Sequence, residues 1–154
     1  MSAFALALSL LTCFAAGLIG SAFTVPAIPG WYASLRKPAW TPPSWLFGPV
    51  WSVLYATMGV AVWLVWRRVG FPGAPLAFVA FGVQLALNTA WSAIFFGLRR
   101  PMAAFVEIMF LWIAIACTIT LFAPIDLFAA ALLMPYLAWV TFAAALNHAI
   151  ARRN

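Results

Sequence analysis

Polar side chains are so sparse in this chain that the few intervals admitting them mark out its organisation. No charged residue occurs from residue 3 to residue 25, and as a helix rising ~1.5 Å per residue that stretch is about 35 Å long, enough for a hydrocarbon core of roughly 30 Å. Similar apolar segments follow at about 44–66, 76–98, 102–122 and 127–151. They are separated by Arg67/Arg68 with the linker GFPGAP over 70–75, by Arg99-Arg100-Pro101, and by the turn APID. Pro135 lies inside the last segment and removes a backbone donor, so a bend is expected there. The start MSAFALAL has no basic flank and the apolar run is longer than a signal-peptide core, so the first segment reads as a membrane helix and not a cleaved leader. Nothing alternates in the manner of a membrane β-strand, and lipid offers backbone groups no partners. The fold expected is all-α and integral to the membrane: one domain over 1–154, a bundle of five transmembrane helices with a structured first loop.

That loop is the one long polar-tolerant interval. Trp31 to Trp51 reads WYASLRKPAWTPPSWLFGPVW and holds four of the nine tryptophans. Pro38, Pro42, Pro43 and Pro49 fix φ and exclude helix through its middle, so it reads as a stiff lid over 26–43 and not as a tether. An interfacial aromatic belt is the competing interpretation of its rings.

The helical repeat then sorts the remaining side chains onto faces. In the first helix Ser9, Cys13, Gly17, Gly20, Ser21 and Thr24 form a small-residue stripe suited to close helix packing. The second presents Gly48, Trp51, Ser52, Tyr55 and Gly59 together, the third Gln84, Asn88, Trp91, Ser92 and Phe95. The carboxamides of Gln84 and Asn88 are costly at mid-membrane unless paired, so they stitch helices together or meet a ligand. In the fourth helix Glu107 is a functional candidate simply as an intramembrane acid, with a shallow interfacial position as the alternative. The fifth helix aligns Tyr136, Trp139, Ala143 and Asn147.

Composition agrees with the pattern: 68% hydrophobic residues, 6% charged and a mean hydropathy of +1.09 leave too little polar surface to face water. The net charge of +6 resides in four separate basic pairs, at Arg36/Lys37, Arg67/Arg68, Arg99/Arg100 and Arg152/Arg153. Dispersed in this way they are topology signals and lipid-headgroup contacts, not a nucleic-acid surface. Six of the eight fall with the lid, the third loop and the C-terminus, which assigns that side to the cytoplasm and the N-terminus to the outside. Cys13 and Cys117 have no CxxC spacing and read as buried apolar residues, so no metal site is expected.

With these elements in hand, the chain resembles the translocator protein family, also called tryptophan-rich sensory proteins or TspO/MBR. The resemblance is carried by WYASLRKPAWTPPSWLFGPVWSVLY from Trp31, QLALNTAWSAIFFG from Gln84 and PYLAWVTFAAALN from Pro135, and it covers nearly the whole chain. It implies a five-helix protein, commonly homodimeric, that binds porphyrins, haem and sterols in a pocket closed by the first loop. Carried over by position, the pocket would use Tyr32, Trp40, Trp51, Tyr55, Asn88, Trp139 and Ala143, with Glu107 where several relatives carry an acid near the pocket. Animal members carry a C-terminal sterol motif with a central tyrosine, whereas this chain reads ALNHAIARR with His148 there, which favours tetrapyrroles over cholesterol.

Three functions follow. A tetrapyrrole receptor or sensor needs aromatic walls, a few donors and cations at the mouth, for which Gln84, Asn88, Arg36 and Lys37 are candidates, and porphyrin or haem would be its ligand with no further cofactor. A proton-coupled small-molecule carrier would use Glu107, against five helices and no visible repeat. Some relatives are proposed to degrade protoporphyrin in light and oxygen, which would involve Trp51 and Trp139, although no acid–base pair or nucleophile constellation is present. His148, alone beside a helix end and two arginines, reads as interfacial and not as an axial haem ligand. Self-association is expected through the Ser9–Gly20 stripe or the alanine-rich parts of the third and fourth helices.

Overall fold

The computed structural model describes residues 2–154. Five stretches are long and apolar enough to cross a membrane: Ser2–Tyr32, Ser44–Gly73, Pro75–Gly97, Pro101–Phe122 and Leu127–Arg153. The first is helix α1 (Ser2–Ala27) continued by a π-helical turn over Ile28–Tyr32. Helix α2 (Phe47–Gly73) follows a 3₁₀ turn at Ser44–Leu46. Helix α3 (Pro75–Ser92) ends in a second π turn, Ala93–Gly97, and α4 spans Pro101–Phe122. The last crossing is two helices, α5 (Leu127–Leu132) and α6 (Met134–Arg153).

Most departures from the expected boundaries trace to proline or glycine. Helical structure runs through Pro26 to Tyr32, so the irregular lid is confined to about 35–43 instead of 26–43. The wider π turn accommodates the missing N–H of proline without abandoning the helix, which lipid would penalise. Helix α2 overshoots Trp66 and is broken only at Gly70, whose φ of +62° glycine adopts without a Cβ penalty. The expected bend at Pro135 occurs two residues earlier, at Leu133, because proline is tolerated in the first turn of the helix that restarts there.

Helix α1 packs on α2 and α3, α3 on α4, α4 on α6, and α5 on α2, which closes a ring in the order α1, α2, α5–α6, α4, α3. Small residues set the closest approaches. A Cβ on Gly59 would lie 3.1 Å from the Leu10 Cα, and one on Gly17 2.6 Å from the Tyr55 ring. The core between the helices is filled by Met58, Ile108, Leu111, Ile115, Phe122 and Tyr136. Leu11, Phe110, Ile113 and Phe128 point outward, as a lipid-facing surface requires.

The two ends of the bundle differ. At one end, Asp126 caps α5 by accepting the Ala129 N–H at 2.9 Å and pairs with Arg68 Nε at 2.7 Å. The Ala129 amide and then the Arg68 guanidinium hold its carboxyl below the usual carboxylate range. At the other end, a separate apolar cluster of Ala27, Tyr32, Phe95, Phe96, Leu146 and Ile150 sits under the lid. The expected small-residue stripe of α1 is engaged within the chain: Cys13 is fully buried, Gly17 meets Tyr55 and Gly20 meets Ser92. It therefore does not present the free face that self-association through Ser9–Gly20 would need.

Candidate functional site

Between the central core and the apolar cluster under the lid lies a cavity of about 440 Å³, within the ~300–1,000 Å³ usual for small-molecule sites. Its aromatic wall follows from helical spacing. Trp51 and Tyr55, one turn apart on α2, place their rings 5.7 Å apart, and Trp51 meets Tyr136 edge-on at 6.3 Å. On α6 Trp139 stands 5.4 Å from Phe142 and 6.3 Å from Phe47 of α2, with Ala143 one turn further along. Tyr32 closes the lid end. Its buried hydroxyl has no hydrogen-bond partner among the described residues. Among the described residues no charged side chain lines the cavity.

Of the residues expected to bind ligand, five, Tyr32, Trp51, Tyr55, Trp139 and Ala143, thus line one cavity. The others stand elsewhere. Asn88 lies beneath the cavity, accepting from the Tyr55 hydroxyl at 2.8 Å and donating to the Tyr136 hydroxyl at 2.7 Å. It joins three helices and is not a free ligand anchor. Gln84 is one turn deeper and buried, its carboxamide unpartnered among the described residues. Glu107 lies outside the lining, both carboxylate oxygens buried without a partner. Trp40 is half exposed and leans on Phe142 at 5.7 Å from outside the cavity.

The expected cationic mouth is likewise absent from the lining. Lys37 turns back to donate to the Tyr32 carbonyl at 2.7 Å and the Leu35 carbonyl at 3.2 Å, satisfying the end of the first crossing, and covers the Tyr32 ring. Arg36 uses its backbone to bind Asn154. His148 packs against Phe105 at 4.8 Å, outside the cavity.

Sequence reasoning missed the wall given by α1, where Phe14, Gly17, Ser21 and Thr24 face the cavity; it put Trp91 and Phe95 on the face of Asn88 without assigning them to the pocket, and both line the cavity. The small-residue stripe was the available signal for the first. It was read as packing alone, and it both packs and leaves room. Trp91 is fixed by donating its indole N–H to Asn147 Oδ1 at 2.9 Å, while Asn147 Nδ2 donates to the Pro101 carbonyl at 2.7 Å.

A ring of five apolar crossings around an aromatic cavity, with no charged group in its wall among the described residues, defines a multi-pass helical membrane protein. Comparison with known proteins narrows the class. The sequence profile of the TspO/MBR family matches residues 9–153, and the chain belongs to that family. It is 43% identical over 153 residues to the tryptophan-rich protein TspO of Chlorobaculum tepidum, covering 97% of this chain and 95% of the relative. The human translocator protein is 43% identical over 147 residues, 94% and 84% of the two chains. The tryptophan-rich sensory protein of Cereibacter sphaeroides is 41% identical over 124 residues, 80% and 77%.

Proposed function

We propose that this protein is a membrane receptor or sensor for tetrapyrroles, protoporphyrin IX or haem, held in the aromatic cavity between α2 and α6. The observation that carries the reading is that Trp51 of α2 and Trp139 of α6 line one cavity, with the small side chain of Ala143 beside them in the same lining. Flat macrocycles gain from such faces by stacking and burial, and the unpartnered Tyr32 hydroxyl supplies a polar contact. Sterols are the secondary ligand class. The family names translocator and sensory protein fit a receptor coupled to transport or regulation, and the lid end, with six of the eight basic residues, is assigned to the cytoplasmic side. A homodimer is part of the proposal, with its interface on surfaces other than the α1 stripe.

The test is tryptophan-fluorescence titration of purified protein with protoporphyrin IX, haem and cholesterol side by side. Ala143→Leu is expected to weaken porphyrin binding by about 1–3 kcal/mol through overpacking. Trp51→Phe and Trp139→Phe each lose about 0.5–1.5 kcal/mol of aromatic contact. Unchanged affinity in all three folded variants would overturn the assignment. Light-driven porphyrin loss at the wild-type rate in both tryptophan variants would remove a catalytic role for those rings.

One observation favours proton-coupled transport as a second reading, namely the buried, unpartnered carboxylate of Glu107. Its test is pH-driven uptake into proteoliposomes, which Glu107→Gln must abolish.

A further inference from the structure

The lid and the α3–α6 wall close the cavity on their own sides. The lid is strapped down: Asn154 Oδ1 accepts the Arg36 N–H at 3.0 Å, and its Nδ2 donates to the Arg36 carbonyl at 3.0 Å and the Ile150 carbonyl at 2.8 Å. A carboxamide that pairs with both backbone groups of one residue acts as a strand edge would, and Trp40 on Phe142 adds a second fastening. Along α3 and α6 every lining residue is buried or half-buried, so those helices form a continuous wall.

The side between α1 and α2 is different. The two helices are clasped where Gly59 meets Leu10 and Gly17 meets Tyr55, and towards the lid their cavity-lining residues become exposed. Leu18 is 72% exposed, Val25 64% and Trp45 72%, and all three border the cavity. Ser21 and Ser52 are exposed between them, and a Cβ on Gly48 would meet nothing within 4 Å. This opening lies on the lipid-facing flank of two membrane-spanning helices and carries no charge.

We infer that the pocket is loaded sideways from the bilayer, through a slot between the lid halves of α1 and α2, while the lid stays closed. The ligand class is correspondingly an amphiphile already dissolved in the membrane, thin enough to pass edge-first between Leu18 and Trp45. Its polar substituents pass the exposed hydroxyls of Ser21 and Ser52. The inference rests on the pocket reading above, but it makes its own claim, about the route.

The experiment uses the full chain in vesicles, with protoporphyrin IX as the probe and stopped-flow quenching of tryptophan fluorescence as the readout. Two plugs, Gly48→Leu and Ser52→Phe, narrow the slot; Asn154→Ala releases the lid. Expected is a fall of about tenfold in both association and dissociation rates in each plugged variant, larger than any change in their ratio, as obstruction of a path requires. Asn154→Ala keeps wild-type rates, and the association rate follows the mole fraction of porphyrin in the membrane. Wild-type rates in both plugged variants, or a rise of about tenfold in Asn154→Ala, would overturn lateral entry in favour of a lid route. Absence of saturable quenching in the wild type would instead overturn the pocket reading itself, and lateral entry with it.

Discussion

Replacing Asn88 separates a structural strut from a ligand anchor, two roles that its sequence position leaves equally open. The carboxamide holds Tyr55 of α2 and Tyr136 of α6 to α3 through bonds of 2.8 and 2.7 Å, at a site where Asn88 is 3% exposed. Asn88→Ala deletes both bonds and strands two buried hydroxyls. Interhelical hydrogen bonds in membranes contribute ~0.6–1.7 kcal/mol each, so the two together are worth about 1–3 kcal/mol. For a chain of this size that corresponds to a lowering of Tm by about 2–12 °C. Thermal unfolding in detergent, followed by near-UV circular dichroism, measures it, and porphyrin titration of the same sample measures affinity. The expected pattern is a clear loss of stability with a small loss of affinity, arising only from relaxation of the Tyr55 ring in the cavity floor. Tyr136→Phe removes one of the two bonds and should give roughly half the loss. In a double-mutant cycle Asn88 and Tyr136 should then be non-additive. Wild-type stability in Asn88→Ala together with a tenfold loss of affinity (about 1.4 kcal/mol) would refute the strut and restore Asn88 as an anchor.

Two further outcomes follow from the packing and the ends of the bundle. Gly59→Ala forces its Cβ against the Leu10 backbone at 3.1 Å and should destabilise by about 1–3 kcal/mol, whereas Gly48→Ala meets open space and should gain up to ~1 kcal/mol of helix propensity; equal Tm shifts in the two would contradict the α1–α2 approach. Because the folded-state pKa of Asp126 is depressed, its contribution is present above the unfolded value of about 3.9 and is lost as pH falls through the folded value, so stability should be level near neutrality and decline below about pH 4. Asp126→Asn, which keeps an N-cap side chain but not the charge, should flatten that decline, as read from Tm against pH; an identical profile in the variant would show that the acid sensitivity has another source.

The bundle was legible in the residues because lipid imposes one rule on every crossing: backbone groups must be satisfied within the helix, so length and hydropathy suffice. That is why five apolar intervals became five crossings, and why Pro135 announced a bend. It is also why Trp51 and Tyr55, or Trp139 and Ala143, could be placed on common faces, since a period of 3.6 residues needs no tertiary information. The helical continuation through Pro26 was not legible. Proline excludes the standard turn, but only packing of Tyr32 against Phe47, Phe95 and Phe96 makes a π turn worth its poorer geometry.

Tertiary structure alone decided which polar side chains face the cavity and which face one another. Gln84, Asn88 and Tyr55 look alike on a helical wheel, yet the rotation of α3 against α2 and α6 puts the Asn88 carboxamide between two tyrosines and leaves the Tyr32 hydroxyl without a partner in the cavity wall. The same holds for the lid. Composition made Arg36 and Lys37 a cationic mouth, but Lys37 turns back to the carbonyls of Tyr32 and Leu35 at the end of the first crossing and binds them. Sequence thus determined where the chain crosses and which faces are aromatic, because those depend on local periodicity and on the solvent. Which face meets which, and so where the cavity lies, depends on how whole helices pack, and that is settled only when the missing Cβ atoms of Gly17 and Gly59 let α1 and α2 close on each other.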